Sequence, residues 1–98
     1  MAYSSTVIGN LYAAFVVTDE WNDHLAKIRD ISPDVADAIA KYGIGEEVCD
    51  GQYDFESGQL LSCIPSSIKR ELEEEIELAY DLICNLATAY AEYVVKNA

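Results

Sequence analysis

The chain has 98 residues, with 18 Asp and Glu against 6 Lys and Arg, a formal net charge of −12. That length is one domain, and an apolar content of 51 % sets it apart from disordered chains despite the charge. Phosphate backbones and anionic membranes recruit Lys and Arg, yet the only adjacent bases are Lys69 and Arg70, followed at once by Glu71, so neither is an expected ligand and a basic protein partner is favoured instead.

From the N-terminus, Val7, Ile8, Leu11, Tyr12, Phe15 and Val16 recur at helical spacing and predict an amphipathic helix. Gly9 weakens it by about 1 kcal/mol relative to Ala. Beyond Val17 the apolar stripe rotates: Trp21, Leu25 and Ile28 form a new face. Thr18 before Asp19 and Glu20 reads as an N-cap with acids in the first turn, which marks either a second helix or a kink.

Ser32 and Pro33 give the clearest helix start in the chain, a capping hydroxyl followed by a residue whose missing N–H costs nothing at that position. Val35, Ala38, Ile39 and Tyr42 share one face, and Gly43 is a natural stop, so a helix is predicted over 33–42. Residues 44–64 are ambiguous. Asp50-Gly51 and Ser57-Gly58 are turn dipeptides, and Glu46 to Glu56 reads as a short hairpin or as an ordered loop. Ser57 to Ile64 has room for a helical turn before Pro65.

The last segment dominates. After Pro65, with Ser66 or Ser67 as the cap, Ile68, Leu72, Ile76, Ala79, Ile83, Leu86, Tyr90 and Val94 fall in one narrow stripe. The pattern predicts a single helix over 66–96, roughly 45 Å at 1.5 Å per residue, longer than a globule of this size is wide. Leu78, Leu82, Ala89 and Tyr93 add a second apolar flank. Helix length and second flank together predict a two-fold homodimer, with Ile83, Leu86, Tyr90, Tyr93 and Val94 as its interface. The fold class expected is a small all-α bundle with a long C-terminal helix.

Cys49, Cys63 and Cys84 make an odd set with no CxxC spacing, against a disulfide scaffold, a zinc site or a redox motif. The N-terminus lacks the positive stretch of a signal peptide, and the longest apolar run near it, Leu11 to Val17, is far short of a membrane span. A cytoplasmic protein with reduced thiols is expected. His24 is the only histidine, and Trp21 stands where a Glu-x-x-His di-iron motif needs Glu, so a plain boundary histidine is the better reading. Asp50, Asp54 and Glu56 fail the calcium-loop pattern, since Gln52, Phe55 and Leu61 stand where an acid, Gly and Glu belong. Neither a phosphate-binding Gly loop nor a Ser-His-Asp set is present. No metal or cofactor and no catalysis are expected.

Two clusters remain. Glu71, Glu73, Glu74, Glu75 and Glu77 form the densest charge run; it reads as a solvated helix face or as a contact surface for a basic groove. Glu46, Glu47, Asp50, Tyr53, Asp54, Phe55 and Glu56 interleave aromatics with acids, a composition suited to an interface in which rings supply buried area and carboxylates orient. The alternative packs both rings into a local core.

Between Lys41 and Lys69 there are five acids and no base, and between Arg70 and Lys96 seven acids and no base. Mixed signs would serve solubility with less repulsion. In size and charge the chain is similar to small acidic inhibitors: bacteriocin immunity proteins, phage inhibitors of CRISPR or restriction systems, and DNA mimics. The Tyr-Tyr-Pro motif of the DNase-colicin immunity family is absent. The expected function is a non-catalytic inhibitor of a basic protein such as a nucleic-acid-processing enzyme or effector complex. The alternative is a helical homodimeric assembly module whose charge serves solubility alone.

Overall fold

The computed structural model describes residues 5–44 and 61–97, with side chains from residue 10 onwards. Six helices account for most of them: α1 (Ser5–Phe15), α2 (Asp19–Ile31), α3 (Pro33–Tyr42), α4 (Ser66–Glu71), α5 (Glu73–Leu78) and α6 (Tyr80–Asn97). The described residues contain no strand. This is a small all-α bundle with a long C-terminal helix, as the apolar periodicity implies. The expected hairpin or loop at 46–56 lies outside the described residues.

The rotation of the stripe after Val17 is a helix change, and one side chain makes it. Thr18 Oγ1 donates to the Phe15 carbonyl at 2.7 Å, closing α1. The same oxygen accepts from the Trp21 N–H at 3.2 Å, capping α2. Ser32 serves the next junction in the same double way. Its N–H donates to the Ile28 carbonyl at 2.9 Å to end α2, and its hydroxyl accepts from the Val35 N–H at 3.3 Å to start α3. Pro33 takes the first helical position and Gly43, at φ +92°, ends the helix. Only glycine adopts that backbone without strain.

α6 is the central element, packing against both α1 and α2, and α3 packs on α2. Phe15, Trp21, Leu25, Ile28, Val35, Ile39, Ile83, Leu86, Tyr90 and Val94 form one buried cluster. Aromatic rings join three helices at its centre. Phe15 of α1 stacks on Tyr90 of α6 at 5.3 Å between centroids. It also meets Trp21 of α2 edge-on at 5.9 Å. Rings paired this way add about 0.5–1.5 kcal/mol beyond the area they bury.

The core also closes the base of the segment that follows α3. The Leu61 N–H donates to the Ile44 carbonyl at 2.8 Å, and both side chains are buried. Leu61 holds φ +64°, a left-handed backbone that costs a non-glycine residue roughly 1–2 kcal/mol. Burying a leucine side chain returns about as much, which is why the strained conformation persists.

The C-terminal segment corrects the expectation of one helix over 66–96. It runs as α4, α5 and α6, with bends at Leu72 (φ −103°, ψ 14°) and Ala79 (φ −93°, ψ 5°). Neither Ser66 nor Ser67 caps its start: the N-cap position is Pro65 and no side chain bonds there. No Pro or Gly stands at either bend. The bends keep the segment within the length of the bundle. The molecule measures 35 × 27 × 20 Å, and a straight helix over this segment would reach roughly 45 Å. It would carry Ile68, Leu72 and Ile76 off the end of the core into water. Bent, the segment keeps these three partly buried against it. The i→i−4 ladder is interrupted at both bends: Leu72 N–H to Ile68 at 3.0 Å and Ile76 N–H to Leu72 at 2.8 Å bridge the first, and Ala79 N–H to Glu75 at 3.0 Å and Ile83 N–H to Ala79 at 2.9 Å bridge the second. Ile68, Leu72, Ile76 and Ala79 nevertheless all stay against the core.

Candidate functional site

α4 and α5 carry no fully buried residue, so they form the exposed corner of the bundle. The acidic run lies here. Glu71, Glu73, Glu74 and Glu77 are exposed, and Glu75 is half-buried. At 100° per residue, Glu73, Glu77, Asp81 and Glu74 span about 100° of the helix circumference, opposite the side where Leu72, Ile76 and Ala79 meet the core. That is why the run is solvent-facing: the same periodicity that buries the stripe turns these carboxylates outward.

Among the described residues, none of the five glutamates stands within ion-pair distance of a base. The ion pair that does form, Arg29 with Asp37 at 2.8 Å, joins α2 to α3 elsewhere. Like charges at i,i+3 and i,i+4 repel by about 0.2–0.5 kcal/mol each in an isolated helix. The run holds several such pairs, including Glu71–Glu75, Glu73–Glu77 and Glu77–Asp81; Lys69 and Arg70 stand one turn before Glu73 and Glu74, so bases offset the repulsion only at the start of the run.

Beside it, Lys69, Arg70, Ser66, Glu73, Ile76, Tyr80 and Leu61 line an open groove of about 450 Å³. Lys69 and Arg70 share this groove with Glu73 of the ridge but form no ion pair with it. Leu78 stands on the ridge side, 74 % exposed among the acids. Sequence reasoning placed it in a second apolar flank with Leu82, Ala89 and Tyr93. The structure divides that flank: Ala89 is buried, Leu82 and Tyr93 are half-buried, and Leu78 is left in water.

Set against known protein families, curated proteins and solved structures, the chain matches none. The site therefore rests on its own residues.

The homodimer stripe fares differently from the acidic run. Ile83, Leu86, Tyr90 and Val94 are fully buried inside the chain's own core, and Tyr93 is half-buried, with its ring 5.1 Å from that of Phe15. These side chains are occupied by α1 and α2, because α6 is a central helix and does not overhang. The face expected to meet a second copy is thus taken up within one molecule. Glu46, Glu47, Asp50, Tyr53, Asp54, Phe55 and Glu56 lie outside the described residues.

The remaining chemistry is sparse. His24 is half-buried on α2. Among the described residues no three His, Cys, Asp or Glu side chains gather as a metal site. Cys63 is exposed, whereas Cys84 is half-buried on α6. Burial pushes the Cys84 thiol above its ordinary range; a hydrogen bond with Tyr80 pulls it down, and the nearby Asp81 carboxylate pushes it up again. A thiol held in its neutral form is a poor nucleophile. Among the described residues no helix is long and apolar enough to cross a membrane.

Proposed function

We propose that the protein is a non-catalytic inhibitor that binds a basic protein surface, of the kind a nucleic-acid-processing enzyme or effector complex presents to its substrate. The observation that carries this reading is the α4–α5 ridge, whose outward carboxylates form no ion pair among the described residues. Carboxylates spaced along a helix can stand where phosphates would lie. A positive partner would relieve the repulsion that the free chain bears. Such a role suits a phage anti-defence protein or a bacteriocin-immunity-type protein, with no direct contact to nucleic acid or membrane and no cofactor. The acidic aromatic segment around Tyr53 and Phe55 supplies the second half of the contact surface in this reading.

The test is capture of the partner from the native host, followed by binding measurements across a salt series. Affinity should fall steeply as salt rises. The triple variant Glu73→Lys, Glu74→Lys, Glu77→Lys should lose the partner. Affinity that stays flat with salt, or a captured partner that is itself acidic, overturns the proposal.

A further inference from the structure

The chain holds 18 acids against 6 bases, yet Lys69 and Arg70 close no ion pair among the described residues. Nor does Glu73, which lines the same groove. Three and four residues apart on one unbroken helix, these groups would be neighbours. Leu72 falls between them at φ −103° and ψ 14°, where α4 ends and before α5 begins. A base four residues before an acid is also the weaker order for closing such a pair. Two cations and a carboxylate therefore face a common space without neutralising one another. The rest of the wall is apolar and held in place. Leu61 is buried, with its N–H bonded to the Ile44 carbonyl. Ile76 packs against the core. Tyr80 is 41 % exposed, and its hydrogen bond with the Cys84 thiol one turn on ties its side chain down.

We infer that this groove binds a small zwitterion with an apolar body, the chemistry of a free aromatic or large aliphatic α-amino acid. The inference does not rest on the inhibitor reading above. A space of about 450 Å³ suits a small molecule, as does a largely apolar wall with a few placed charges. Charge selects the class. A plain anion would approach against a net charge of −12 and meet Glu73, and a plain cation would meet Lys69 and Arg70. A ligand that is neutral overall and carries both signs close together satisfies all three groups. Along the segment the order is cations, carboxylate, aliphatic side chain, ring. The α-carboxylate takes the planar fork of Arg70, with Lys69 as a second positive contact. The α-ammonium goes to Glu73, and the side chain of the ligand lies along Leu61, Ile76 and Tyr80.

The full chain would be titrated with phenylalanine and with three truncated analogues, followed by heteronuclear NMR. Phenylpropionate lacks the ammonium, phenylethylamine lacks the carboxylate, and glycine lacks the ring. Phenylalanine should shift the amide resonances of Leu61, Glu73 and Tyr80. It should bind about tenfold tighter than either singly charged analogue, the scale of one hydrogen bond to a charged group. Glu73→Gln should bring phenylalanine down to the level of phenylpropionate, and Arg70→Gln to that of phenylethylamine. Both positions are exposed, so circular dichroism of the variants should match the parent. Glu77→Gln, on the ridge but outside the groove, should leave phenylalanine binding unchanged. If phenylpropionate or adenosine monophosphate binds as tightly as phenylalanine, the groove is a simple anion site and the proposal fails. It fails equally if glycine binds as well, if Glu73→Gln has no effect, or if Glu77→Gln weakens binding as much as Glu73→Gln does. No shift at these residues up to the solubility limit of phenylalanine also overturns it, while leaving the basic-partner reading to its own salt series.

Discussion

Replacing Glu77 by lysine should stabilise the protein. Glu77 has Glu73 and Glu74 one turn before it and Asp81 one turn after it. It is exposed, and no base within reach offsets its charge among the described residues. Each like-charge pair at this spacing costs about 0.2–0.5 kcal/mol, and an opposite pair returns a similar amount. Reversing one sign against three neighbours therefore spans roughly 1–3 kcal/mol, with the lower half expected at an exposed position. Helix propensity contributes nothing, since Glu and Lys rank together. For a domain of this size 1 kcal/mol moves the midpoint by about 4–8 °C. Thermal melts followed by circular dichroism at low salt would read this shift. Glu77→Gln, which removes repulsion without adding attraction, should give about half of it. Near 1 M salt, where the screening length is about 3 Å, both gains should shrink towards zero. Should Glu77→Lys leave the low-salt midpoint unchanged or lower it, the carboxylates are not under mutual repulsion. The argument that a partner relieves them then has no basis. The same variant should weaken partner binding, so stability and function would move in opposite directions.

Phe15→Ala removes the ring that joins α1 to Tyr90, Trp21 and Tyr93 and should cost about 3–5 kcal/mol, read as a fall in urea midpoint large enough to leave little folded protein at 37 °C. Ser32→Ala should cost about 1 kcal/mol, because the Val35 N–H loses its acceptor in a buried junction; a second variant, Ser32→Asp, should recover most of it. The raised Cys84 thiol should react with iodoacetamide more slowly than Cys63 at mildly alkaline pH, and site-resolved mass spectrometry after denaturation should show the difference gone. Because burial favours the neutral thiol in the folded state, its contribution is fully present below the unfolded-state pKa and is lost as pH rises through the higher folded value. Stability above the ordinary thiol range should accordingly fall more steeply in the parent than in Cys84→Ser.

Much of the site was legible because exposure on a helix follows from phase. Once Ile68, Leu72, Ile76 and Ala79 define the inner face, Glu73, Glu74 and Glu77 must point away from it. The standing of Leu78 was not legible. Its spacing to Leu82, Ala89 and Tyr93 is that of an apolar flank, and spacing alone does not tell how far the core extends along the helix. The signal that could have found it was its own neighbourhood, a leucine with carboxylates at i−4, i−3 and i+3.

What the sequence by itself determined is local. Thr18, Ser32-Pro33 and Gly43 act on backbone groups within four residues of themselves, so the end of α2 and the whole of α3 could be read without knowing what they pack against. The all-α class followed likewise from periodicity, which depends only on the 3.6-residue turn. What the tertiary structure decided is what covers each apolar face and where a long helix must bend. Ile83, Leu86, Tyr90 and Val94 read equally well as a dimer seam or as a core stripe, because a face that needs burial does not specify its partner. The folding back of α1 and α2 onto α6 supplied that partner from the same chain. The bends at Leu72 and Ala79 belong to the tertiary structure too: no breaker residue marks them, and the bent segment fits within the 35 Å length of the molecule, which a straight helix would exceed.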